Sequence, residues 1–123
     1  MGDLYQTADW KSEKHVPVIE IQESSENVVE VKVTVGKEIP HPNTIEHHIE
    51  WIDLYFLPEG ENFPYELGRF EFRSHGASTQ ELSGVYSHPS VIFYFTTIKP
   101  GTIYSSSYCN IHGLWSSSLH LSL

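Results

Sequence analysis

"VVEVKVTV", residues 28–35, settles the fold class. Val29, Val31, Val33 and Val35 fall on one face of an extended chain, while Glu30, Lys32 and Thr34 fall on the other. That period of two is the mark of a half-buried β-strand; a helix would scatter the same valines around its circumference. Outward from it, further strands are expected at "VPVIEIQ" (16–22), "HHIEWIDLYFL" (47–57), "RFEFR" (69–73), "VIFYFTTI" (91–98), "TIYSSSY" (102–108) and "LWSSSLHLS" (114–122). Turn chemistry separates them in "SSEN", "PEGENFP", "SHGAS", "SHPS" and "KPG". No long stretch has helical periodicity. About seven short strands at this spacing predict an all-β antiparallel sandwich, and a span of 1–123 is the size of one domain. Strand 47–57 is unusual in being apolar on both faces, with Ile49, Trp51 and Tyr55 opposite Ile52, Leu54 and Phe56. It is expected to be buried twice, to lie at a subunit contact, or to be a central strand under a loop.

Composition narrows the function. An apolar content of 39% with 13% aromatics suits a folded globule. No apolar run reaches membrane-spanning length. "MGDLYQTADWKSEKH" lacks the cationic start and apolar stretch of a signal peptide, and Gln6 stands where a myristoylation signal needs Ser or Thr. A cytoplasmic location is therefore expected, with no membrane partner. The single cysteine cannot form an internal disulfide, which fits a reducing compartment. The net charge of -9 argues against nucleic acid as a partner, since phosphate binding needs a basic face. An anionic substrate would likewise need a local positive feature.

Eight histidines are spread along the chain, and their positions say more than their number. His15 ends "SEKH" just before a strand. His41 sits between two prolines in "IPHPN", while His47 and His48 open the strand that follows. Cys109 and His112 share the connection between the last two strands. Strand ends and loops are where binding groups sit on a β scaffold. The C-x2-H and H-x5-H spacings offer a thiolate and imidazoles, a set suited to iron, zinc or copper. Spacing alone is weak evidence and favours a buried inert thiol with scattered surface histidines. A cysteine nucleophile fares worse, because nothing identifies its base.

Three segments carry a resemblance. "EKHVPVIE" (13–20), "HPNTIEHHIEWIDLYF" (41–56) and "CNIHGLW" (109–115) resemble, in order, the signature segments of the superoxide reductases, also called neelaredoxins. The similarity implies an immunoglobulin-like β-sandwich holding one iron that reduces superoxide to hydrogen peroxide. It places His15, His41, His47 and His112 in the plane of the iron and Cys109 on the axis, with the position opposite sulfur open in the reduced state. Glu13 matches a carboxylate that can occupy that position on oxidation, and Lys14 a lysine that attracts superoxide. A rubredoxin-like electron donor and a homotetramer are implied as well. With one cysteine, the chain resembles the single-iron class. It departs from the pattern after "CNIHGLW", where Ser116–Ser118 replace the acidic residue frequent in the family. A superoxide dismutase-like activity at the same iron, or a metal-stabilised binding module without turnover, are the rival readings. His48 is expected to face away from His47's side, and His75, His88 and His120 to be structural or exposed. Trp115 is expected in the core, and the Asn110 and Ile111 amides are expected to point at sulfur.

Overall fold

A computed structural model describes residues 4–22 and 25–123. It contains seven strands: β1 (Pro17–Ile21), β2 (Val28–Val35), β3 (Ile49–Pro58), β4 (Tyr65–Glu71), β5 (Ser90–Thr96), β6 (Gly101–Cys109) and β7 (Gly113–Leu121). They form a three-stranded sheet, β1-β2-β5, and a four-stranded sheet, β4-β3-β6-β7. Every pairing is antiparallel. No helix occurs among the described residues.

The valine alternation does what its period requires. Val29, Val31, Val33 and Val35 are buried against Ile52, Leu54, Phe56 and Ile103 of the facing sheet. Each such side chain contributes roughly 1.5–3 kcal/mol by leaving water. Strand β3 lies between β4 and β6 and presents Ile52, Leu54 and Phe56 to that core. Its register shifts between Ile49 and Trp51, which turns Ile49 into the core too. The strict alternation expected for Ile49 and Trp51 is broken by that irregularity. On the outer face, the Arg69 guanidinium lies 4.0 Å over the Trp51 ring and Tyr108 stacks at 6.0 Å. Asp53, only 1% exposed, accepts hydrogen bonds there from the Ser106 amide (2.9 Å) and the Tyr55 hydroxyl (3.1 Å). The second apolar face of β3 is thus half-covered by the chain's own side chains.

Strand β4 begins four residues earlier than "RFEFR" suggests. Gly68 interrupts its pattern and pairs with Leu54 where the register shifts, a usual place for glycine in a strand. Phe72 then leaves the strand and enters the core at 2% exposed.

The register decides where functional groups meet. Pro17 pairs with Val35, Ile49 with Cys109, and Cys109 with Gly113. The chain leading into β1, the loop after β2, the start of β3 and the β6–β7 turn therefore gather at one end of the sandwich.

Candidate metal centre

Each of the five sequence-predicted ligands is aimed by local structure. His15 precedes β1, and its carbonyl accepts a hydrogen bond from Ser107 Oγ of β6 at 3.1 Å. Its Nδ1 lies 2.6 Å from Glu13 Oε2, so this nitrogen donates its proton outward and Nε2 keeps its lone pair. The Glu13 carboxylate also accepts the backbone amides of His15 and Val16. Partial burial alone would raise the Glu13 pKa. The His15 ring, the two amides and the His15 charge outweigh it and hold the carboxyl below its ordinary value.

His41 lies at the end of the loop after β2. Gly36, with φ of +83°, lets that loop fold back, because a Cβ there would stand 2.6 Å from the His41 amide nitrogen. His41 Nδ1 donates to the Pro42 carbonyl at 2.6 Å, again leaving Nε2 as the free acceptor. His47 is framed by Thr44: its amide donates to Thr44 Oγ1 at 3.0 Å, and the Thr44 amide donates to the His47 carbonyl at 2.9 Å. Cys109 ends β6 and His112 follows in a turn closed by Gly113, whose φ is +82°. The His112 amide reaches Cys109 Sγ at 3.4 Å.

These elements bring four ligand atoms, from His15, His47, Cys109 and His112, within 4.8 Å of one another. His15 Nε2 is 3.1 Å from His112 Nδ1, which is 3.8 Å from the buried sulfur. His41 lies outside that tight set by its ligand atom, yet its ring completes the arrangement. Around the site the centroid distances are 4.7 Å (His15–His41), 4.7 Å (His41–His47), 5.0 Å (His47–His112) and 4.7 Å (His112–His15). The His15–His47 diagonal is 6.5 Å, the proportion of a square. Four imidazoles stand at its corners, and the thiol is a fifth group beside it.

Two further observations fit a cation. Among the described side chains, His41 Nε2 and His47 Nε2 are buried without a hydrogen-bond partner, an arrangement that is costly unless something electron-accepting binds there. Burial, outweighing the Pro42 carbonyl and reinforced by His15, His47 and Lys14, pushes the His41 pKa down to about 4. Burial, then His112, His15 and Lys14, lowers that of His47. Both rings are thereby kept neutral, the state in which imidazole binds metal.

The remaining expectations divide. Lys14 is half-exposed and close enough for its charge to disfavour protonation of His41 and His47. Glu13 is engaged with His15 and Val16 in this conformation rather than turned to the square. Trp115 is 8% exposed, stacks on His15 at 4.9 Å and donates from Nε1 to the His112 carbonyl at 3.3 Å. His48 is buried outside the square, stacked on His75 at 3.4 Å and bonded to Glu50 and the Thr44 carbonyl. His88 and His120 are exposed. The expectation for sulfur is corrected in part: the amide reaching it is His112's, while that of Asn110 donates to the His48 carbonyl at 3.2 Å. The Ser116 amide donates to the Gln6 carbonyl, and Ser117 Oγ donates to the Pro17 carbonyl. Thr44, Ser107 and the Asn110 side chain were not singled out by sequence; only the Thr-x-x-His spacing of 44–47 carries a signal for a local turn.

Fold and site together define a β-sandwich metal protein with a histidine-rich centre containing one cysteine. Residues 7–118 match the desulfoferrodoxin family. A superoxide reductase from Pyrococcus furiosus is 55% identical over 123 residues, covering 98% of each chain. A neelaredoxin from Megalodesulfovibrio gigas is 50% identical over 127 residues, covering 100% of this chain and 98% of the other. Among solved structures, the reduced superoxide reductase (neelaredoxin) of Archaeoglobus fulgidus superposes with a TM-score of 0.95 at 61% identity, covering 98% of this chain and 99% of that one. The chain belongs to the desulfoferrodoxin family.

Proposed function

We propose that this chain reduces superoxide to hydrogen peroxide at one mononuclear iron held by His15, His41, His47, His112 and Cys109. The observation that carries the proposal is the square of four imidazoles with a buried thiol beside it. Zinc prefers four ligands in a tetrahedron and has no redox chemistry, so this donor set favours iron. When bound, iron supplies one electron to superoxide, which with two protons from solvent becomes hydrogen peroxide. The chain's residues do the rest. Lys14 gives a protein of net charge -9 a local positive feature for an anionic substrate. Glu13 holds the His15 tautomer, and the His112 amide donates to sulfur, a contact that tunes electron release. Trp115 covers the His15 face and limits water on that side. An external donor, rubredoxin-like by resemblance, returns the electron. One such domain over 1–123, a homotetramer and a cytoplasmic location complete the proposal.

The test supplies superoxide to reduced, iron-loaded protein without a donor and measures peroxide and oxygen above the uncatalysed background. About one peroxide per iron without sustained oxygen release is expected of a one-electron site awaiting re-reduction. Many turnovers with matching oxygen release would make it a dismutase. Stoichiometric zinc without turnover would make it a binding module.

A further inference from the structure

We infer that the Asn110 side chain is a positioning residue that sets His47 against Cys109. The inference rests on the proposed metal centre and concerns how two of its ligand segments, distant in sequence, are locked together.

Asn110 directly follows Cys109, yet its amide group points across the site. Its Oδ1 accepts the His48 backbone amide at 2.9 Å, and its Nδ2 donates to the Glu46 carbonyl at 2.9 Å. These partners are the residues on either side of His47. One is a backbone donor and the other a backbone acceptor, so the amide has a single satisfied orientation. The Asn110 amide adds a third bond, to the His48 carbonyl at 3.2 Å. The peptide carrying His47 is thereby gripped on both flanks from the residue beside the sulfur ligand, across 62 and 64 positions of sequence.

The gripped segment cannot yield. The His48 ring is stacked on His75, its Nδ1 lies 2.7 Å from the Thr44 carbonyl and its Nε2 lies 2.9 Å from Glu50. His75 in turn lies 2.7 Å from the Phe72 carbonyl through Nε2, and Phe72 is in the core. Asn110 therefore joins the Cys109–His112 turn to a loop already anchored in the sandwich, and the distance from sulfur to the His47 ring follows from that join. A ligand pair fixed in this way loses precision when the clamp is removed, although the strands bearing it remain paired.

The experiment uses cobalt(II) as probe, titrated into metal-free protein, with the thiolate-to-cobalt absorption band as the signature of sulfur ligation. Asn110→Ala is expected to keep the wild-type far-ultraviolet circular dichroism, weaken cobalt binding about 10–100-fold and shift the band. A purely structural asparagine would lower the unfolding midpoint of metal-free protein and leave the band of its cobalt complex where the wild type has it. Asn110→Asp provides a second variant if the alanine form does not fold. It keeps the acceptor for His48 but opposes a carboxylate oxygen to the Glu46 carbonyl, and a shifted band is expected again. Either folded variant showing the wild-type band and affinity overturns the role of Asn110. A wild-type protein that binds cobalt without a thiolate band overturns the metal centre itself, and the inference with it.

Discussion

Replacing His47 by leucine should make the metal-free protein more stable and remove most of its response to metal. His47 Nε2 is a buried polar nitrogen without a partner, and leaving such a group unsatisfied costs about 1–3 kcal/mol. Leucine removes that atom. The hydrogen bonds between Thr44 and the His47 backbone do not depend on the His47 side chain. His47 is only half-buried, so leucine gains little further apolar contact. A net stabilisation of about 1–2 kcal/mol is expected, which raises the midpoint of a domain of this size by roughly 3–8 °C. Wild type, by contrast, should gain about 2.7 kcal/mol when metal is present at a hundred times its dissociation constant. The assay is thermal unfolding of both proteins, metal-free and with cobalt(II) or with iron(II) under anaerobic conditions. A metal-free His47→Leu protein less stable than wild type would refute the reasoning. So would an undiminished metal-dependent rise in its midpoint.

Cys109→Ser should remove the visible thiolate charge-transfer band of oxidised, iron-loaded protein while circular dichroism stays as in wild type; a variant that keeps the band excludes Cys109 as the sulfur ligand. Lys14→Ala should slow the second-order reaction with superoxide at low salt, the deficit shrinking as ionic strength rises; equal rates at low salt would leave Lys14 an ordinary surface residue. Burial, only partly opposed by the Phe72 carbonyl and joined by the neighbouring His48, depresses the His75 pKa. The unfolded chain therefore takes up this proton first, so the stability due to neutral His75 is complete above roughly pH 6.5 and is lost as pH falls below it. His75→Gln should flatten the pH dependence of unfolding below roughly pH 6.5, and an unchanged slope would exclude this contribution.

What the sequence makes legible is what repeats or lies close along the chain. The valines of 28–35 announce their strand because one buried face imposes a period of two. The segments bearing His15, His41, His47, Cys109 and His112 stand out because each supplies chemistry at a strand end, and the fold gathers all of them at one end. Ile49 is misread because a register irregularity changes its side without changing its neighbours in sequence. The start of β4 is hidden by Gly68, which reads as a breaker and is tolerated beside a shift in the partner strand. The bonds from Ser107 to His15 and from Asn110 to Glu46 and His48 join residues far apart in the chain and leave no periodic trace. His112 rather than Ile111 or Asn110 has its amide recorded at sulfur because the turn closes on Gly113, a matter of backbone angle rather than residue type.

The proposed ligand residues are divided between the two sheets. His15 leads into β1 and His41 follows β2, both on the three-stranded side, while His47 leads into β3, Cys109 ends β6 and His112 lies in the β6–β7 turn on the other. An ion bound by them would act as a clasp on one mouth of the sandwich, and the geometry at the ion would be a gauge of how the sheets are seated. Sliding of one sheet over the other would alter ligand distances before it disturbed the valine-rich interior. Loss of the ion should release the histidine end first, so that hydrogen exchange accelerates there while the amides of β2 and the middle of β3 remain protected.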